Sequence, residues 1–235
     1  MKLHNATVLI TGANRGIGLA FAREALARGA RKVYAGARNP ASVTLPGVEA
    51  IALDVNSPEQ VAAAARHAND VTLVINNAGI ADLGSFLGED SIASAHRHMD
   101  TNFFGVLRVS QAFAPVLAAQ GGGAILNVLS VASWINSPML SVYGASKSAA
   151  WALTNGLRND LRAQGTQVLG LHMGFVDTDL TSGLDMPKSS PEAIVRRAFD
   201  ALEAGADEVL ADELTQQVKR GLSAEPGIYL RDPRA

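Results

Sequence analysis

Thr7-Val8-Leu9-Ile10-Thr11-Gly12-Ala13-Asn14-Arg15-Gly16-Ile17-Gly18 decides the fold of this chain. It opens as a short β-branched apolar run, breaks into a glycine-rich turn, and leads into residues with helical spacing. Glycine lets the backbone turn sharply and approach a ligand with no Cβ in the way. A helix starting there offers free N–H groups and the positive end of its dipole, an arrangement suited to a pyrophosphate. Glycines alone also make plain turns. The strand before and the helix after favour a dinucleotide site.

Outward from this turn, apolar runs alternate with helical stretches. The expected strands are Thr7–Ile10, Lys32–Ala35, Val48–Ala52, Val71–Ile75, Ala124–Val128, Gln167–Leu171 and Glu208–Leu210. Most are continuously apolar, as strands buried on both faces are. The expected helices are Gly18–Arg28, Pro58–Ala68, Thr101–Ala119, Val142–Ala163 and Pro191–Ala204. Ser57-Pro58 and Ser190-Pro191 pair an N-cap with proline at the first helical position, and Gly29, Gly121, Gly165 and Gly205 stand at helix ends. This alternation predicts an α/β fold, a doubly wound parallel sheet in one domain spanning residues 1–235. The segment after Gly221, with Pro226, Gly227 and Pro233, reads as a loose or partner-ordered tail.

The 235 residues carry a net charge of −2 and no cysteine. That charge gives no electrostatic basis for nucleic acid or an anionic membrane, and the missing cysteines exclude disulfides, thiol nucleophiles and thiolate metal sites. The first apolar run, Ala6 to Ile10, is too short for a signal sequence, and glycines and Asn127 interrupt the most hydrophobic region. A cytoplasmic protein is expected. His4, His67, His96, His98 and His172 show no metal-ligand spacing, so no metal is expected.

Tyr143-Gly144-Ala145-Ser146-Lys147 sets a phenol and an ammonium four residues apart, one turn apart on one helix face. Such pairs are common on helix surfaces. Here a neighbouring ammonium is expected to lower the tyrosine pKa and ready the phenol for proton transfer. Ser130 lies thirteen residues earlier at a strand end, where its hydroxyl is suited to stabilise charge on a substrate oxygen. Ser133 is its rival.

The G-x-x-x-G-x-G spacing, Asn76-Asn77-Ala78-Gly79, Asn102, Ser130 and Tyr143-x-x-x-Lys147 together resemble the short-chain dehydrogenase/reductase family, from Thr7 to about Leu222. The resemblance implies a Rossmann-type, mainly parallel seven-stranded sheet of order 3-2-1-4-5-6-7 and hydride transfer between NADP(H) and a carbonyl or alcohol. It implies a catalytic set of Asn102, Ser130, Tyr143 and Lys147, with Asn102 holding a backbone group and a water, and Lys147 anchoring the cofactor ribose. It assigns cofactor contacts to Gly12, Asn14, Arg15, Gly16, Ile17, Gly18, Asp54, Val55, Asn76, Ala78, Gly79, Gly174, Val176 and Thr178, beside Tyr143 and Lys147. Ala37 fills the place where an NAD-selective enzyme carries a carboxylate; Arg38 follows it, and Arg15 adds a second cation, so NADP(H) is expected. Solvated surface arginines are the alternative.

Met173 departs from the family's proline, which predicts a looser loop. A short substrate lid is expected at 179–190, with Trp134, Met139, Leu140, Phe175, Leu180 and Leu184 as walls or core. The resemblance also implies a homodimer or homotetramer paired through the two long helices, with Ala149, Ala150, Trp151 and Leu157 suited to the contact. Two other functions compete. A non-catalytic NADP(H)-binding redox sensor has no need of the complete catalytic set, and a sugar-nucleotide epimerase needs a C-terminal substrate domain for which this chain has no room.

Overall fold

The computed structural model describes residues 1–231, so Pro233 lies outside the described residues. Seven strands form one sheet: β1 (Thr7–Thr11), β2 (Lys32–Ala37), β3 (Glu49–Ala52), β4 (Leu73–Asn76), β5 (Ala124–Val128), β6 (Gln167–His172) and β7 (Glu208–Leu210). Their order is β3-β2-β1-β4-β5-β6-β7, and every neighbouring pair is parallel. The expected order holds, and the expected "mainly parallel" sheet is parallel throughout the described strands.

The helices are α1 (Gly16–Ala27), α2 (Pro58–His67), α3 (Ser91–Met99), α4 (Gly105–Ala119), α5 (Ser141–Asp160), α6 (Pro191–Glu203) and α7 (Glu213–Gly221). Continuous apolar strands need cover on both faces, and the helices supply it. On one face Phe21 of α1 meets Phe199 of α6 edge-on, ring centroids 5.3 Å apart, within a core that includes Val8, Ile10, Leu126 and Leu171. On the other, Val61, Phe113 and Leu157 from α2, α4 and α5 pack on Leu9, Val74 and Ile125. Local chemistry sets the boundaries as expected: the Ser57 and Ser190 hydroxyls accept from the backbone N–H groups of Gln60 and Ala193.

Three differences from the expected elements matter. The helix expected from Thr101 begins as a π-helical turn over Asp100–Phe104, continuous with α3, before α4 proper. α3 was not expected, because its only fully buried residue is His98 and it carries little apolar signal. α7 was not expected either, although Asp212 and Thr215 form a capping box at its start. Of the residues expected to meet a partner, Ala150 and Leu157 are buried within this chain, and Ala149 and Trp151 are half-buried.

Crossing from β3 to β4 takes the chain to the other side of β1. The loops after β1 and β4 therefore diverge and leave a crevice at the carboxyl ends of the strands. No described helix is long and apolar enough to cross a membrane.

Candidate active site

The crevice is built first from backbone. After Thr11 the chain turns through Gly12 (φ +66°) and Gly16 (φ +52°), and α1 begins at Gly16. Arg15, the residue before α1, is extended and provides no side-chain cap, so the first-turn N–H groups have no side-chain acceptor from it. A short network staples this turn to the end of β4. The Asn77 amide donates to the carbonyls of Thr11 (2.9 Å) and Gly12 (3.1 Å), while the Thr11 hydroxyl accepts from the N–H groups of Asn77 and Ala78, each at 3.0 Å. The family resemblance assigns a cofactor contact to Asn76, but Asn76 is buried away from the turn. Its amide donates to Asn127 (2.8 Å) and Ser110 (3.3 Å), joining a polar chain through the sheet that ends on Thr154. Asn77 and Thr11, not Asn76, shape the loop.

Around the crevice the remaining expected contacts take different positions. Ala37 is buried at the end of β2, and the adjacent Arg38 is exposed with no hydrogen bond or ion pair among the described residues. Arg15 pairs with Asp179 at 3.3 Å, both largely exposed, across the mouth from the glycine turn to the loop after β6. The Asp54 carboxylate accepts from the Asn56 N–H at 3.0 Å, and Val55 is buried where Gly105 lets the helix approach it. A Cβ on Gly16 would lie 3.4 Å from the Thr178 methyl, which places the loop after β6 against the glycine turn.

Ser130, Tyr143 and Lys147 converge at the end of β5. Ser130 is extended, and its hydroxyl accepts from the Ala132 N–H at 3.1 Å. Ser133 is no rival: it is buried, and its hydroxyl accepts from the Ser130 N–H at 3.4 Å. Burial holds the Tyr143 phenol above the ordinary tyrosine value, and the nearby Ser130 hydroxyl offsets part of that rise. This corrects the expectation that Lys147 pulls it down. The Lys147 Nζ lies 5.8 Å from the Tyr143 ring centroid and donates to the Val128 carbonyl at 2.8 Å. Its own pKa is lowered by burial to about 8.

Asn102 sits in the π-helical turn, a distortion common at functional sites. It does more than cap a helix. Its amide donates to the Ile80 carbonyl (3.0 Å) and the Ser146 hydroxyl (2.9 Å), and its Oδ1 accepts from the Ile80 N–H (2.9 Å). Ser146 in turn donates to the Tyr143 carbonyl at 2.7 Å, so Asn102 ties the segment after β4 to the helix that carries Tyr143 and Lys147. Both of its N–H donors are engaged within the protein. Gly79 permits the approach: a Cβ there would stand 3.1 Å from Asn102 Oδ1.

The family model described as "short chain dehydrogenase" matches residues 6–188. The chain belongs to the short-chain dehydrogenase family. Among similar solved structures is a short chain dehydrogenase from Burkholderia cenocepacia in complex with NADP, 37% identical, covering 96% of each chain with a TM-score of 0.92. The galactitol 2-dehydrogenase (L-tagatose-forming) of Cereibacter sphaeroides is 36% identical over 77% of this chain and 75% of that protein. The gluconate 5-dehydrogenase of Gluconobacter oxydans is 35% identical over 78% and 76%, respectively. This chain is thus an oxidoreductase of the short-chain dehydrogenase family.

Against the usual pattern of the short-chain dehydrogenase family, Met173 in place of proline does not leave the loop after β6 unanchored. The Met173 carbonyl accepts from the Val131 N–H at 2.8 Å, and the Gly174 N–H donates to Asp212 Oδ2 at 2.6 Å. Asp212 Oδ1 also caps α7 by accepting from the Thr215 N–H at 2.8 Å. Asp212→Ala therefore removes a helix cap and orphans an amide at once. It is expected to cost about 2–4 kcal/mol, measured by urea unfolding, and to raise the KM for the nicotinamide cofactor. The segment expected as a lid opens with a single turn at Asp179–Thr181, and its far end is tied to the chain before it, Asp177 N–H to the Ser189 carbonyl and Ser189 N–H to the Phe175 carbonyl, each at 2.9 Å. Met139 and Leu180 are exposed and Leu140, Phe175 and Leu184 half-buried. Trp134 is not a free wall: its ring stacks on His172, centroids 3.8 Å apart. Among the described residues no cluster of histidine and carboxylates has the makings of a metal site.

Proposed function

We propose that this short-chain dehydrogenase is a cytoplasmic, NADP(H)-dependent reductase or dehydrogenase acting on small carbonyl and alcohol substrates, with Tyr143 as proton donor and acceptor. The observation that carries the reading is the meeting of Ser130, Tyr143 and Lys147 beside a crevice whose glycine turn leads into a helix start without a side-chain cap. That crevice fits a dinucleotide. The turn presents backbone with no Cβ, and Lys147, a buried ammonium with three donors, spends one on Val128 O. When bound, the cofactor gives or takes the hydride at its nicotinamide ring.

The chain supplies position and proton. Ser130 donates to the substrate oxygen and Tyr143 stands beside it, giving up its proton in reduction and recovering it in oxidation. Lys147 holds the cofactor's ribose hydroxyls and places a positive charge near the phenol. Asn102 and Ser146 fix the helix that carries both. Gly12, Asn14, Gly16, Ile17 and Gly18 receive the pyrophosphate side, Asp54, Val55, Ala78 and Gly79 the adenosine and ribose, and Gly174, Val176 and Thr178 the nicotinamide. Copies pair through α4 and α5.

NADP(H) preference rests on Arg38, exposed and unpaired among the described residues beside the buried Ala37, with Arg15 nearby. A guanidinium holds a 2′-phosphate by charged hydrogen bonds that a carboxylate would turn into repulsion. Arg38→Asp is expected to move the ratio of kcat/KM values from NADPH toward NADH by about ten- to hundredfold. Unchanged selectivity would remove Arg38 from that role. The function itself is tested by NADPH oxidation with a panel of aldehydes, ketones, diketones and quinones, run beside NADH. Cofactor binding with no turnover on any of them would favour the redox-sensor reading.

A further inference from the structure

The end of β6 sets a fully buried histidine against the main chain of Ser130. His172 Nδ1 lies 3.2 Å from the Ser130 carbonyl oxygen, and Nε2 lies 3.4 Å from Glu208 Oε1 on β7. The ring lies flat on Trp134, with an interplanar angle of 18°. Lys219 of α7 closes the cluster, 2.8 Å from Glu208 Oε2 and 4.7 Å from the Trp134 ring centroid. None of these groups has a part in the mechanism above.

Both imidazole nitrogens face acceptors, one a carbonyl and the other a carboxylate. Nδ1 is within hydrogen-bond distance of the Ser130 carbonyl, whereas Nε2 faces the Glu208 carboxylate with no aligned hydrogen-bond partner among the described residues. Stacking on the flat indole face fixes the plane of the ring. His172 and, beyond it, Lys219 hold the Glu208 carboxyl down to about 2 against the opposing effect of burial. An apolar side chain would fill this space without charge. The arrangement therefore calls for a reason other than filling.

We infer that His172 is a positioning residue for Ser130, holding its peptide group so that its hydroxyl stays aimed at Tyr143 and the substrate oxygen. The inference rests on the function proposed above. Consecutive backbone groups here are pinned: the Ser130 carbonyl by His172, the Val131 N–H by the Met173 carbonyl at 2.8 Å, and the Ala132 N–H by the Ser130 hydroxyl at 3.1 Å. The Ser130 carbonyl also accepts from the Ser133 N–H at 3.0 Å, and the Met173–Gly174 peptide reaches α7 through Asp212. The His172 contact is the one that links the Ser130 carbonyl to β7, through Glu208, and from there to Lys219 of α7.

His172→Phe keeps a flat ring on Trp134 and deletes both ring nitrogens; His172→Asn returns a donor near the Nδ1 position. The phenylalanine variant is expected to lose roughly tenfold in kcat, with NADPH affinity and carbonyl KM little changed, and the asparagine variant to recover most of that loss. A second readout needs no turnover. In protein labelled with ¹³C-tyrosine, the Tyr143 signal, assigned by its loss in Tyr143→Phe, is expected to titrate about half a pH unit higher in His172→Phe, as the bond from Ser130 loosens. A folded His172→Phe with native kcat and native Tyr143 midpoint would overturn the inference, as would His172→Asn impaired no less than phenylalanine. If His172→Phe does not fold, Glu208→Gln decides: a lowered kcat and raised Tyr143 midpoint support positioning, and native values of both refute it. A wild-type chain that reduces no carbonyl while the midpoint still moves would defeat the proposed function and leave the positioning intact.

Discussion

Tyr143→Phe is expected to abolish carbonyl reduction, lowering kcat by about three orders of magnitude, while NADPH still binds. The ring survives the change, so packing against His98, whose ring centroid is 6.4 Å away, is retained and only the hydroxyl is lost. That hydroxyl is the ionisable group beside the Ser130 hydroxyl, and the Lys147 Nζ stands 5.8 Å from the phenol ring centroid with one donor on the Val128 carbonyl. The direction of the Tyr143 shift gives the pH dependence. Burial holds its pKa above the ordinary tyrosine value, so at neutral pH the group is a neutral phenol, the acid that reduction consumes. Oxidation needs the phenolate, so its rate should climb with pH, and both rates should vanish together in the phenylalanine variant. Stopped-flow reduction with a reactive diketone, alongside NADPH fluorescence titration, separates chemistry from binding. Near-native turnover in Tyr143→Phe would rule out the proton-transfer assignment.

How much of this was legible in the sequence depended on how far apart the interacting residues lie. The glycine turn, the caps at Ser57 and Ser190 and the Tyr143–Lys147 pair are local strings, each settled within one or two turns of chain, and these came through. The strand order followed from strand–helix alternation together with the family resemblance. Asn76 was chosen over Asn77 because adjacent residues at a strand end point to opposite sides, and the sequence does not say which side the crevice takes. The sign of the Tyr143 shift was missed for another reason. Spacing shows that a cation is one turn away, but not that burial of the phenol outweighs it. His172, Glu208 and Asp212 act on residues 36 to 42 positions distant, through a strand of three residues and a short, mostly polar helix. The Asp212–Thr215 capping box and the i, i+4 pair Leu214 and Val218 were local clues to that helix.

Gly18→Ala is the second large effect expected, and it sets two physical tendencies against each other. Gly18 lies inside α1 with ordinary helical geometry, where alanine is worth about 1 kcal/mol over glycine. Against that gain, a Cβ at this position would stand 2.1 Å from the Gly12 carbonyl oxygen and 2.6 Å from Asn77 Nδ2. Neither neighbour can yield cheaply. The Gly12 carbonyl is backbone held in a left-handed turn, and the Asn77 amide is the staple that bonds Thr11 and Gly12 to the end of β4. The overlap must push the glycine turn away from the helix start, separating the bare backbone from the free N–H groups that together form the proposed pyrophosphate site. Overpacking of this kind costs about 1–3 kcal/mol or more, enough to cancel the helical gain. NADPH affinity should fall about a hundredfold, equivalent to about 2.7 kcal/mol, with a lowered urea midpoint for the free protein. Calorimetric titration and urea unfolding report the two separately. Gly18→Ala with native affinity and raised stability would mean that helix propensity wins, and that the close seating of α1 on the glycine turn does not hold the nucleotide loop.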